Sequence, residues 1–403
     1  MNRLVEGDVG SGKTVVAAMA ALMAAKEGFQ VAFMAPTELL AMQHAATLYP
    51  MLKTFGLRPH LLVGSMTPKL KAQAHAEIAQ GGAQIMVSTH ALFQEKVDMQ
   101  RLGLIIVDEQ HRFGVEQRKA LMAKAGHMPH VLSLTATPIP RSLALTLYGE
   151  LDISILKEKP AGRLPIETTL VSPVNRDRLY ESLRGEIAAG RQAFVVCPLI
   201  ESRDMIQESK GAAVETVFAE LQKKQLKGCR VGLLHGKMKP SEKEAVMQAF
   251  IRHELEVLVA TTVIEVGVDV PNATIMVIES AERFGLAQLH QLRGRVGRGS
   301  QQSHCFLLLS DTNAPSKRLR AIESSNDGFR LAELDLELRG PGAIYGAMQH
   351  GALDLRVVKL SDTTLIAEAR KAAQAFIESG ENLLQYNELS MRVDKLRRVT
   401  NLN

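Results

Sequence analysis

The run Gly7-Asp8-Val9-Gly10-Ser11-Gly12-Lys13-Thr14 constrains this chain more than any other stretch. It fits the pattern G-x-x-x-x-G-K-[ST], in which a strand ends in a glycine loop and the loop opens a helix. Glycines let successive backbone N–H groups converge on one anion, and the helix N-terminus adds partial positive charge. Such a loop requires a strand before it and a helix after it. The segment of about Arg3–Glu6 and the apolar run from Val15 to Ala25 supply them. Gly7, Gly10, Ser11 and Gly12 then form a phosphate cradle. Lys13 is placed to reach the β- and γ-phosphates of a nucleotide, and the Thr14 hydroxyl to coordinate Mg²⁺.

The rest of the chain supplies the sheet that such a loop needs. Val31–Met34, Gln84–Ser88, Leu104–Val107 and Val131–Leu134 read as buried strands, with helical spacing after Thr14, Thr37, Pro68 and Glu116. Alternation of this kind implies βαβ units and a parallel sheet covered on both faces. A second series follows the Pro- and Gly-containing stretch Glu158–Pro165, which reads as a linker. Its strands are Ala193–Cys197, Arg230–Leu234, Val257–Ala260, Thr274–Ile278 and Cys305–Leu308, with helices over Val214–Leu226, Ser241–Arg252 and Leu286–Leu292. Beyond Pro315 the pattern is helical, broken at Gly340-Pro341-Gly342. The expected division is therefore an α/β lobe over 1–158, a second over 159–312 and a helical region over 313–403.

Leu104-Ile105-Ile106-Val107-Asp108-Glu109 delivers two carboxylates to the C-terminal end of a strand, where open α/β sheets bind ligands. Asp108 suits Mg²⁺, and Glu109 is placed to orient and activate a water. Acidic residues also follow strands as turn formers, so this motif gains meaning from the phosphate loop: together they point to nucleotide hydrolysis. In the second lobe, Gly294-Arg295-Val296-Gly297-Arg298 sets two guanidinium groups three residues apart, able to reach a shared anion.

Charge and cysteine content limit the remaining classes. A net charge of +5 and an isoelectric point near 9.0 agree with a nucleic-acid partner without requiring one. Cys197, Cys229 and Cys305 have no paired spacing for zinc or a disulfide framework, and read as buried thiols of a reduced cytoplasm. His90, His235 and His290 have no metal-like companions and read as packing or nucleic-acid contacts. No apolar run approaches the length of a membrane span.

Asp108-Glu109-Gln110-His111 resembles the DExH box of superfamily-two helicases, and other segments fall in that family's order. Ala35-Pro36-Thr37-Glu38-Leu39-Leu40 resembles its first DNA-contact motif, Val87-Ser88-Thr89-His90 the next, and Thr135-Ala136-Thr137-Pro138 the motif linking ATP to strand movement. Val259-Ala260-Thr261-Thr262 through Gly267-Val268-Asp269-Val270-Pro271 resembles motif five, and Gln288 through Gly299 motif six. The resemblance implies two tandem RecA-like lobes followed by a C-terminal helical hairpin. It also implies ATP and Mg²⁺ as cofactors, with Arg295 and Arg298 reaching the γ-phosphate across the cleft. Thr37, Thr89 and Thr261 would contact DNA phosphates; turn and capping roles account for these threonines too. Asp269 matches an acid that contacts the ribose, and a turn cap before Pro271 explains it equally well.

Within the superfamily, His111–Arg118 and Thr137–Arg141 are shared by the RecG family and the transcription–repair coupling factors. Gln110, Leu147–Asp152 and Val196–Ser202 look more like RecG. Asp327-Gly328-Phe329-Arg330, Leu338–Gly342 and Gln349-His350-Gly351 resemble the translocation motif of both families, in which Arg318, Arg339 and Gln349 match key positions. The implied activity is ATP-driven movement along duplex and branched DNA by a monomer, in fork regression and Holliday-junction branch migration. The rivals are the motor of a coupling factor and a nucleic-acid-binding fragment with little turnover. RecG-type proteins carry an N-terminal wedge and, upstream of the phosphate loop, a glutamine-containing stretch that helps recognise adenine. Those parts are expected either to be missing from a fragment or to come from another polypeptide.

Overall fold

The structure, a computed structural model, describes residues 1–89, 99–109, 128–136, 152–156, 164–198, 209–261, 270–339 and 363–400. The first sheet is wholly parallel among the described residues. Its strands are β1 (Asn2–Gly7), β2 (Gln30–Ala35), β3 (Pro59–Leu62), β4 (Ile85–Thr89), β5 (Leu102–Asp108), β6 (His130–Thr135) and β7 (Asp152–Leu156). They lie in the order β3-β4-β2-β5-β6-β1-β7. The central strands are apolar throughout because both faces are covered. Val31, Phe33 and Ala35 of β2 face α1 (Lys13–Lys26) and α2 (Glu38–Lys53), whereas Ala32 and Met34 face the opposite way, toward Ile78 of α3 (Pro68–Ala79). α1 buries only alanines, Ala17, Ala18, Ala21 and Ala25, so its backbone lies close against the sheet.

The second sheet has the order β10-β11-β9-β12-β13-β8, again all parallel. Its strands are β8 (Glu167–Val171), β9 (Gln192–Val196), β10 (Val231–Leu234), β11 (Val257–Ala260), β12 (Ala273–Ile278) and β13 (His304–Leu308). The helices between them are α4 (Arg176–Ala188), α5 (Ser209–Lys223), α6 (Pro240–Ile251) and α7 (Leu286–Arg293). Tyr180, Leu183 and Ile187 of α4 join Val195, Val257, Val259, Ile275 and Val277 in the core on one face of this sheet.

Two expectations from sequence are corrected. β3, β7 and β8 are strands where none was anticipated, and each lies at an edge of its sheet. An edge strand buries only part of its side chains; β7 is half-exposed along its length, so its sequence lacks the continuous apolar run that marked the central strands. Cys229 is only partly buried, unlike Cys197 and Cys305, whose thiols burial pushes up to about 12.

After the second sheet come α8 (Lys317–Ser324), α9 (Gly328–Arg339), α10 (Thr363–Glu378) and α11 (Asn387–Thr400). α8 packs against β8, where Glu323 accepts the Leu170 N–H at 3.0 Å. The compact unit that holds both sheets accordingly extends to Leu331, and a second unit takes in the described residues from Ala332 onward. The break at 340–342 lies outside the described residues.

Candidate active site

Strand order explains why segments far apart in sequence meet. β6 lies between β1 and β5, and β2 lies beyond β5; the registers pair Glu6 with Thr135, Leu134 with Asp108, and Val107 with Met34. The C-terminal ends of these strands therefore form one edge, carrying the glycine loop after β1, Thr135 at the end of β6 with Ala136 just past it, Asp108 at the end of β5 with Glu109 just past it, and Thr37 just past β2. Thr89 ends β4 on the same edge, beside Ala35.

The loop needs its glycines for two different reasons. Gly10 and Gly12 have φ of 84° and 94°, the left-handed region that a side chain disfavours. Gly7 has no such φ; a Cβ there would fall 2.5 Å from Ser11 Oγ and 3.0 Å from Leu156 Cβ. The Lys13 ammonium donates to the carbonyls of Gly7 at 2.6 Å and Asp8 at 2.8 Å, which holds it over the loop. Ser11 Oγ is buried without a hydrogen-bond partner among the described residues. A buried hydroxyl left over beside the N-terminus of α1 fits the oxygens of a polyphosphate.

Burial pushes the Lys13 ammonium below the ordinary lysine range. Glu109, Asp108 and Asp8 oppose that shift, while Arg298 adds to it. These charges therefore share one neighbourhood, and Arg298 of the second lobe belongs to it. Glu109 adopts a left-handed backbone, φ 55°, with its N–H donating to its neighbour's carboxylate, Asp108 Oδ1, at 3.0 Å. A non-glycine residue held this way costs about 1–3 kcal/mol, and such strain clusters where a side chain must be aimed. The other oxygen, Asp108 Oδ2, lies 2.8 Å from His44 Nε2. Thr14 stands in the first turn of α1. One hydroxyl and one carboxylate beside a phosphate cradle are a donor set that fits Mg²⁺, which prefers few protein ligands plus phosphate oxygens.

The second lobe meets the loop through α7 and the turn after it. His290 Nε2 is 3.6 Å from Asp8 Oδ1. Asp8, Val9, Leu164, Pro165, Ile166, His290, Arg293, Gly294 and Asn326 line a cavity of about 210 Å³. Arg295 is buried and Arg298 partly exposed. Between them, Gly297 has φ 73°, and a Cβ there would meet Ile166 Cγ1 at 2.8 Å. Arg293 is buried as a strut: its Nη1 donates to the carbonyls of Ile322 and Ser325, both at 2.8 Å, and to Thr168 Oγ1 at 3.4 Å.

The residues expected to face DNA have varied surroundings. The Thr37 hydroxyl accepts the Leu40 N–H at 3.4 Å and caps α2, the local role that sequence left open. Thr89 and Thr261 are buried, and the Thr261 hydroxyl has no hydrogen-bond partner among the described residues. Arg318 donates through Nη2 to the Glu282 carbonyl at 2.7 Å. Asp269 and Gln349 lie outside the described residues; Arg339 ends α9, with its side chain outside them. His90 also lies outside, and His235 is 3.7 Å from Glu215. Sequence reasoning missed His44, whose carboxylate partner is 64 residues away. It also missed the approach of His290 to Asp8 and the structural role of Arg293.

Three family models match the chain: DEAD/DEAH box helicase over residues 1–146, Helicase conserved C-terminal domain over 175–300, and ATP-dependent DNA helicase RecG, domain 3, C-terminal, over 325–403. The chain is 50% identical over 395 residues to the ATP-dependent DNA helicase RecG of Synechocystis sp., covering 98% of this chain and 47% of that protein. It is 48% identical to that of Aquifex aeolicus, covering 96% and 50%, and 50% identical to that of Escherichia coli K12, covering 93% and 54%. The chain spans about half the length of the curated relatives it matches. A solved structure of RecG bound to a three-way DNA junction superposes with a TM-score of 0.76 at 42% identity, covering 92% of this chain and 47% of that one. Dbp5 of S. cerevisiae, bound to RNA and ADP BeF3, shares the fold at 17% identity with a TM-score of 0.56, covering 81% of this chain and 83% of that one.

Proposed function

The chain belongs to the RecG family of ATP-dependent DNA helicases, and on that premise we propose that it is an ATP-hydrolysing motor that moves along duplex and branched DNA. The observation that carries this is the gathering of Lys13, Asp108 and Glu109 at one glycine loop, with Arg298 of the second lobe near enough to act on the Lys13 ammonium. Phosphoryl transfer is accelerated mainly by positioning and charge stabilisation, and these are the groups it needs.

In this reading Gly7, Gly10, Ser11, Gly12 and Lys13 bind the β- and γ-phosphates. Thr14 and Asp108 would hold Mg²⁺, which would supply positive charge to offset that of the nucleotide phosphates. Glu109 orients the attacking water and takes its proton. Arg298, with Arg295 behind it, meets the γ-phosphate from the second lobe, so turnover depends on how the lobes close. Asp269 contacts the ribose. Thr37, Thr89 and Thr261 track DNA phosphates, while Arg318, Arg339 and Gln349 couple lobe movement to the duplex. The working division is 1–158 for nucleotide binding, 159–312 for the arginines and 313–403 for coupling. The match of residues 325–403 to a RecG model favours this reading over a coupling-factor motor. The RecG relative bound to a three-way junction supports branched DNA as a substrate class.

The test is steady-state phosphate release by the purified chain, alone and with linear or three-way duplex DNA. Release stimulated by either DNA supports a motor. Nucleotide-independent DNA binding with no release would leave only a binding module.

A further inference from the structure

Asp108 ends β5, and its backbone alone does not fix the direction of its carboxylate. One oxygen takes the Glu109 N–H at 3.0 Å. The other meets His44 Nε2 at 2.8 Å, from α2 on the neighbouring strand's connection. Both side chains are largely buried, His44 12% and Asp108 15% exposed. Phe33, fully buried on β2, packs against the imidazole with ring centroids 4.6 Å apart at an angle of 44°. α2 itself is tied down at its start, where Thr37 caps it and Glu38 accepts the Ser65 N–H at 3.2 Å. The imidazole is thus held by a helix on one side and an aromatic ring on another, and presents a fixed nitrogen to a carboxylate that could otherwise rotate. Among the described residues each Asp108 oxygen has one hydrogen bond, which leaves lone-pair capacity for a cation.

We propose that His44 is a positioning residue for Asp108, setting its carboxylate in the orientation that receives Mg²⁺ with the nucleotide. This rests on the nucleotide reading above. Partners that orient a ligating carboxylate typically contribute about 10–100-fold in metal affinity or activity. A histidine that only satisfied a buried acid would affect folding, with no preference for the metal-bound state.

The experiment is equilibrium binding of fluorescently labelled ADP to the full chain, with Mg²⁺ and with EDTA, and thermal melting alongside. In the unmodified chain Mg²⁺ tightens binding. In His44→Leu that tightening falls by about 10-fold or more, while affinity in EDTA stays the same. His44→Gln, which keeps an N–H donor, recovers most of the loss. His44→Met fills the same space flexibly and replaces the leucine variant if that one does not fold. Full Mg²⁺ tightening in the apolar variant overturns the proposal, as does an equal loss with and without Mg²⁺. An unmodified chain that binds no labelled ADP at all would overturn the nucleotide reading, and this inference with it.

Discussion

Gly297 separates the two arginines of the second lobe, and replacing it by alanine tests whether the turn aims them. Its φ of 73° lies in the left-handed region, where an L side chain costs about 1–2 kcal/mol. The new Cβ would also stand 2.8 Å from Ile166 Cγ1 and 3.2 Å from Cδ1. Cγ1 moves only with χ1, which is stiff in a β-branched side chain, so rotation about χ2 does not relieve the contact, and overpacking of this kind costs about 1–3 kcal/mol more. Gly297→Ala should therefore lose about 2–5 kcal/mol in urea denaturation. Gly190 offers the control. It follows α4 with φ 85°, closed by Gly190 N–H to the Ile187 carbonyl and Arg191 N–H to the Glu186 carbonyl, and a Cβ there meets nothing within 4 Å. Gly190→Ala should show the backbone term alone, about 1–2 kcal/mol, with ATPase unchanged. In Gly297→Ala, a shift of about 1 Å at Arg298 should slow turnover by up to about 100-fold. Equal stability losses in the two variants would refute the steric argument. Normal turnover in a destabilised Gly297→Ala would show that this turn does not position Arg298.

Other outcomes follow from the same geometry. Lys13→Ala should retain less than about a tenth of the DNA-stimulated phosphate release, since the ammonium is a phosphate-positioning group; melting should show the fold intact. Because burial lowers the Lys13 pKa, nucleotide affinity should fall on the alkaline side at a lower pH than an ordinary lysine would give, and Lys13→Arg should move that limb upward. Superimposable limbs would exclude Lys13 as the titrating group. The stability contribution has the opposite sign: the unfolded chain holds this proton more tightly, so stability rises with pH between the lowered and the ordinary value. Arg298→Ala should reduce single-turnover hydrolysis by about 10³-fold or more while nucleotide affinity changes little; parallel losses would indicate a ground-state contact. Arg293→Met strands the buried Ile322 carbonyl and releases the part-buried Ser325 carbonyl, and should cost roughly 1–3 kcal/mol for the first and less for the second. Accelerated trypsin cleavage at Lys317 or Arg320 would report the release of α8.

The glycine loop was legible in sequence because its constraint is local: Gly10 and Gly12 take a backbone that adjacent side chains would forbid, and Lys13 and Thr14 follow by fixed spacing. The central strands were legible for a related reason, since two covered faces leave Val31–Met34 or Val257–Ala260 no polar position. β3, β7 and β8 were not, because an edge strand buries only part of its side chains and its pattern merges with that of a loop. β10, also an edge, was visible in Val231-Gly232-Leu233-Leu234 only because its residues stay apolar. The pairing of His44 with Asp108 and the approach of His290 to Asp8 had no local trace, and the nearness of Arg298 to Lys13 was implied only by the family resemblance. They depend on β6 lying between β1 and β5, and on the turn after α7 facing the loop after β1. Strand order is decided by which apolar faces pack together across the whole unit, so no short window of residues carries it.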